Sequence, residues 1–531
     1  MRTRRKILIA VGIALGVAIL IPIIHHYQLR AATESYIAEL KAKGEPMELS
    51  QVIPPPVPTG KNSASFFLRA AALLTTNYDD VLSTNPPVAM HGVAPGKAVV
   101  SWEQPGIRDT GMTNSWQDIQ KALQRNAGAL NLLIQLTNSS LFDFNLQYDE
   151  GFDMRLTHLS LETKSAQRLA VAAIYNLHLG DANLAADNIR AIFVLVNGTY
   201  DERIVISQLV RISIAHIGIA ATWEFLQSPN PSDKNLADLQ AAISRMEFVR
   251  TQINTLQAER VRSEASLAKW RSSDSEFSKY FDSKKRFYGV GGDPADDDTL
   301  WNGLQFKTKA FLWRYWWSYP DELRSLKGYE VSMNMMRSVE TNGSFQDALS
   351  VQTDALDKLG ISKLNSSPFS RTTDFRSMIS ESIMFLDSVT RRVMQVEVAK
   401  QTALTAIALK RYQLKYKNYP QSLEAMVPEF ISAVPNDPMD GQPLRCRRNA
   451  NGTFLLYSVG ENGKDDGGDP SLGKGITGSN FYYWQNPHAL DWVWPQPATA
   501  AEIQKYYEER ARISHFPGPG LLILKNSVHS I

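Results

Sequence analysis

One cysteine, Cys446, stands among 531 residues, which excludes an intramolecular disulfide and any multi-cysteine zinc or iron–sulfur site. Charge of one sign is missing as well: 56 Lys and Arg face 54 Asp and Glu, a formal net charge of +2. No strong overall field draws nucleic acid or selects acidic substrates, so no nucleic-acid partner is expected. Catalytic signatures are scarce. His158, His178 and His216 lack the HExxH spacing that sets two zinc ligands on one helix face. "GVGGDPADDDTL" (289–300) has neither the lysine of a phosphate loop nor the third glycine of a dinucleotide fingerprint. No catalytic motif emerges, and the chain is read as a non-enzyme. Cys446 lies between Arg445 and Arg447 in a predicted strand, where alternation points the arginines to the opposite face and leaves a structural thiol.

What is present begins at the amino terminus. Arg2, Arg4, Arg5 and Lys6 precede an uncharged apolar run, residues 7–24, which as a helix just spans a bilayer. His25, His26 and Tyr27 follow where a cleavable signal would place small residues. The expectation is a cytoplasmic basic tail (1–6) and a retained single transmembrane helix (7–24). The basic cluster keeps the tail in the cytoplasm, which puts the bulk of a bacterial chain on the periplasmic side of the inner membrane.

A length of 531 residues suggests roughly two to four packed units. Residues 25–112 read as an extended, Pro-rich linker with short helices, because "QVIPPPVPTG" (51–60) removes donors and clashes with a preceding helical turn. Residues 113–385 are expected to form an α-helical domain, with apolar positions recurring every three or four residues. Around Gly180-Asp181, Ala172 and Tyr175 precede the break and Ala185, Ala186 and Phe193 follow it, a pattern that resembles a tetratricopeptide-like (TPR-like) helical hairpin. "WNGLQFKTKAFLWRYWWSYP" (301–320) concentrates aromatics that suit a sugar-stacking surface, a membrane-interface patch or the seam between helices. Asp321 and Glu322 beside them either begin a helix or form the carboxylate pair of a glycan hydrolase.

From 386 to 416 an apolar stripe runs Val389, Val393, Val396, Ala399, Ala403, Ala406, Leu409, Tyr412 and Tyr416, so one helix face is buried. Pro420 stops that helix. Two strand-like runs, "PLRCRR" and "TFLLYSV", flank Asn451-Gly452, which favours a hairpin turn. A glycine-rich acidic loop then carries Glu461, Asp465, Asp466 and Asp469. The fold class is therefore mainly α, with a small antiparallel sheet near the carboxy terminus.

The order of long helix, Tyr419-Pro420, Asp437-Pro438 with Gly441 and Pro443, then Tyr457-Ser458 with Gly460 and Gly463 resembles the soluble part of the major pseudopilin (protein G) of type II secretion systems. The resemblance implies that residues 386–490 form a pseudopilin-like α+β domain whose acidic loop binds calcium. In pseudopilins the apolar helix runs directly into this domain, whereas here the membrane segment lies far upstream, which implies a borrowed module. The whole layout resembles membrane-anchored proteins of planctomycete and verrucomicrobial type. Calcium takes six to eight oxygen ligands, for which Asn462, Asp465, Asp466, Asp469 and backbone carbonyls are the candidates. The spacing is not that of an EF-hand, and a polar turn is the competing reading. Phosphate is disfavoured, because four carboxylates repel an anion. Residues 491–531 read as a carboxy-terminal helix and tail. The expected function is that of a single-pass, envelope-facing structural or interaction protein with a protein partner. Alternatives are an envelope glycan hydrolase or an accessory part of a type II secretion or pilus-like system.

Overall fold

The computed structural model describes residues 2–58, 60–75, 81–84, 87–108, 113–137, 139–229, 231–279, 307–308, 310–361, 382–473 and 484–514. The 289–300 segment, Trp301, Phe306 and the tail from 515 onward lie outside the described residues. The chain is mainly helical with small sheets. Helix α1 (Arg2–Ala42) is a single helix of 41 residues. The expected span 7–24 falls inside it, with most of its side chains outside the described residues.

Helices α2 (Thr157–His178), α3 (Ala182–Gly198), α4 (Val205–Leu226), α5 (Asp233–Ser244) and α6 (Val249–Ser272) follow one another through short connections. Gly180 ends α2 at φ +80°, a conformation cheap only for glycine. Asp181 then accepts the Leu184 N–H at 3.0 Å to start α3. Among the described residues α4 is the one helix long and apolar enough to cross a membrane, yet 61% of its apolar window is buried inside the body. Its contacts with α2, α3 and the later helix 382–416 make it a core element. Close approach of α3 depends on Gly218, since a Cβ there would stand 2.7 Å from the Phe193 ring.

Helix α7 (Ser318–Asn342) packs on α6 and α1, and α8 (Phe345–Lys358) folds back on α7 after Gly343. Helix α9 (Ser382–Tyr416) buries its stripe from Val389 to Leu409, while Tyr416 is exposed. Met394, Val398, Ile407 and Ala408, off that stripe, are also fully buried. The reason is position: α9 lies against α4 and α5 and also against the sheet, so more than one face is covered.

Strands β1 (His91–Ala94) and β2 (Lys97–Val99) pair antiparallel inside the stretch expected to be a linker. The main sheet joins β3 (Arg445–Arg448), β4 (Phe454–Ser458) and β5 (Trp492–Val493), all antiparallel, with Arg445 opposite Tyr457 and Tyr457 opposite Val493. Strand β6 (Gln496–Pro497) runs parallel to β2, and α10 (Ala500–Ser514) covers β1. The boundary drawn at 490 thus falls inside the main sheet, because a two-residue strand is too short to show alternation. One apolar cluster extends from Ala64 to Trp494, so the packing is continuous across residue 386.

Candidate functional site

The β3–β4 hairpin turns through 449–453, with Gly452 at φ +82° and the Asn449 N–H donating to Thr453 O at 2.8 Å. Cys446 on β3 is half-buried and free, and burial pushes its thiol up to about 12, which disfavours the thiolate.

Two stretches on which the pseudopilin resemblance rests meet at Asp437. This buried carboxylate accepts the Ser458 hydroxyl at 2.7 Å and the N–H groups of Val459 and Met439 at 2.9 and 3.0 Å. Burial raises its pKa, while these donors act in the opposite sense. Arg445 ties it to the loop: its guanidinium lies 3.3 Å from Asp437, 2.5 Å from Asp440 and 3.6 Å from Asp465. The hydrogen bond to Asp440 chiefly holds the arginine charged.

The predicted ligands occupy distinct stations on the loop. Asp465 accepts the Tyr457 hydroxyl at 2.9 Å and the Gly467 N–H at 3.0 Å, and that backbone bond chiefly lowers its pKa. Asn462 donates its amide to Asp466 at 2.8 Å and accepts the Lys464 N–H at 2.8 Å. Asp469 accepts the Ser471 N–H at 2.9 Å. Glu461, raised by burial, pairs with Arg391 of α9 at 3.1 Å. Among the described residues no three His, Cys, Asp or Glu side chains converge as a metal cage.

What converges is a set of donors, on a residue outside the predicted loop. Asp491, fully buried beside β5, accepts the N–H groups of Gly468, Asp469 and Asp466 at 2.7, 3.1 and 3.4 Å. Its own N–H donates to Asp469 O at 2.9 Å. The loop is shaped around a carboxylate supplied by the protein. The one sequence signal was an acid between apolar residues in "HALDWVW".

A second constellation was not visible in the sequence. A groove of about 400 Å³ is walled by residues 54–58 and 141–148, with Gly198 and Glu202 also lining it. Behind it His158 Nε2 lies 3.0 and 3.1 Å from the two Glu202 oxygens, both side chains buried. Glu162 is buried deeper, and neither of its oxygens has a hydrogen-bond partner. Burial and then the Glu202 charge push its pKa well up, which favours its protonated form. Asp321 and Glu322, which follow the aromatic segment, are both buried near the start of α7, with Glu322 paired to Arg271. His216 is half-buried on α4, where it hydrogen-bonds Ile212 O at 2.9 Å, and desolvation lowers its pKa. His178 stacks on Trp116 with ring centroids 3.9 Å apart.

The aromatic segment divides between two environments. Trp313 is fully buried against Leu267, Trp270, Phe277 and Ala310, which answers to the seam reading. Phe311, Tyr315 and Trp316 on the same segment are exposed. Residues 313–317 form a π-helical turn, which changes the angular spacing of side chains along an otherwise helical segment.

No family model matches the chain, and searches of curated proteins and of solved structures returned no significant match.

Proposed function

We propose that the chain is a single-pass, envelope-facing structural or interaction protein, anchored in a bacterial inner membrane by α1 with its bulk in the periplasm. The observation that carries this reading is the continuity of α1. At 1.5 Å per residue, 41 residues extend for about 62 Å, enough for an apolar span and a further helical stretch fixed to the body. That stretch is fixed by named contacts: the Thr33 hydroxyl donates to Tyr319 O at 3.3 Å, and Lys327 Nζ sits 5.6 Å from the Tyr36 ring centroid. Just past its end, Glu45 pairs with Arg260 at 2.8 Å and Arg337 at 2.5 Å. The helix therefore acts as a stiff post for the body. In this reading α2–α3 is a TPR-like hairpin offering a surface to a protein partner, and residues 386–490 are a pseudopilin-like module. The test is alkaline carbonate extraction of bacterial membranes carrying the full chain: retention in the pellet supports the reading, and release into the supernatant overturns it.

Calcium enters as a separate proposal, since ligation requires Asp466 and Asp469 to turn toward a common centre. Ligand present at a hundred times its dissociation constant stabilises a native state by about 2.7 kcal/mol. A melting temperature unmoved between millimolar calcium and chelator eliminates it. The hydrolase alternative is favoured by one arrangement, the Glu202–His158 pair at the groove with buried Glu162 behind it, and would show as glycan cleavage lost in Glu202→Gln.

A further inference from the structure

Eight of the nineteen strongly exposed large apolar side chains among the described residues fall in two short segments, 20–27 and 311–316, while the rest are scattered. On α1, Leu20, Ile21, Ile23, Ile24 and Tyr27 are between 46% and 62% exposed. Across from them Phe311, Tyr315 and Trp316 are 53%, 51% and 37% exposed.

The two segments are neighbours. His26 Nδ1 lies 2.8 Å from Tyr315 O, and its ring lies 5.8 Å from that of Tyr315 and 5.2 Å from that of Tyr319. Further along, Tyr36 meets Lys327, and Glu45 meets Arg337. Residue numbers rise together on both sides, so α1 and the 310–342 helical stretch run parallel. Moving back from Tyr315 toward Phe311 therefore moves back along α1 from His26 toward Leu20. Four residues at 1.5 Å each set Phe311 about 6 Å beyond Tyr315, level with the apolar stretch of α1.

We propose that the exposed face formed by Phe311, Tyr315 and Trp316 docks into the headgroup–acyl boundary of the lipid bilayer beside α1, so that the body rests on the membrane instead of standing off on a tether. The proposal builds on the anchor reading above. Three observations select lipid as the occupant. The face is continuous with the exposed apolar side chains of α1, where that helix leaves its apolar run. Its side chains are amphipathic or aromatic, the types that settle at the membrane interface. Its opposite side is already spent on the protein core through Trp313, with the Phe277 and Trp313 ring centroids 5.1 Å apart. The Arg314 guanidinium, which would be costly in the acyl region, is turned inward, donating to Trp270 O at 3.2 Å and pairing with Asp274.

The test uses the full chain in phosphatidylcholine vesicles containing lipids with brominated acyl chains. Cys446→Ser removes the native thiol, and single cysteines carrying an environment-sensitive fluorophore are placed one at a time. Leu15→Cys reports the anchor, Tyr315→Cys and Phe311→Cys report the face, and Val351→Cys reports water. Val351, 70% exposed on α8, lies about 30 Å from the face by helix rise along α7 and back along α8. The proposal predicts bromine quenching at 311 and 315 several times that at 351, with 311 quenched more than 315. Quenching at 15 with 311 and 315 matching 351 overturns the docked face and leaves the anchor standing. Absence of quenching at 15 overturns the anchor reading, and the docked face with it.

Discussion

Replacing Asp491 by alanine removes the one acceptor shared by the backbone donors of Asp466, Gly468 and Asp469. The carboxylate is fully buried, whereas the loop it holds is open to water on its outer side. A hydrogen bond to a charged group contributes about 1.5 to 3 kcal/mol, and water recovers part of that for exposed donors. A loss of about 2 kcal/mol in local opening free energy is therefore expected, which speeds exchange of these amide protons roughly 30-fold. Hydrogen–deuterium exchange resolved by mass spectrometry on peptides covering 460–473 reads this directly. The Asp437 network offers an internal reference, because Val459 N–H donates to a different buried carboxylate and should keep its protection. Asp491→Asn, which retains one acceptor oxygen, is expected to fall between wild type and alanine. Unchanged exchange at Gly468 and Asp469 in Asp491→Ala would refute the reasoning and assign the loop's shape to Asp465 with Tyr457 and Arg445 instead.

Two further outcomes follow from buried groups. Burial raises Glu224 from 4.5 to about 7 while it accepts N–H groups of Met90 and Ser101 at 3.0 Å each. The native state keeps a proton that the unfolded chain releases, so this contribution is fully present below about pH 4.5 and is lost as pH rises through about 7. Its size is about 3 kcal/mol at 1.36 kcal/mol per unit. Denaturant unfolding of wild type and Glu224→Gln across that window should diverge by this order, and parallel stability curves would count against it. Gly218→Ala places a methyl against the Phe193 ring and should cost about 1 to 3 kcal/mol by overpacking. Phe193→Leu in the same chain should recover part of the loss, and an additive double mutant would disprove the contact.

Periodicity carried the helices. The stripe on α9 was legible because its steps of three and four hold over many turns, and Gly180-Asp181 marked a turn because each residue suits its place there. The other buried faces of α9 were not legible, since what covers them comes from the sheet and from α4 and α5, far away in sequence. The acidic loop drew attention to its own carboxylates, yet the residue that organises it, Asp491, sits more than twenty positions onward, just before a strand of two residues. His158 and Glu162 are four residues apart on α2 and so share a face, but Glu202 joins them only through the packing of α2 against the α3–α4 connection, and no spacing rule links it to them. The aromatic segment was legible as a concentration but not as a division, because a π-helical turn sets which rings face inward.

The central claim is that α1 holds the body outside the cytoplasmic face of the membrane. Protease added to intact spheroplasts expressing the full chain tests it most directly, read with antibodies to the two ends of the molecule. The account predicts digestion of the helical body, with a short amino-terminal fragment protected until the membrane is lysed. Protection of the whole chain in intact spheroplasts, with digestion only after lysis, would contradict it.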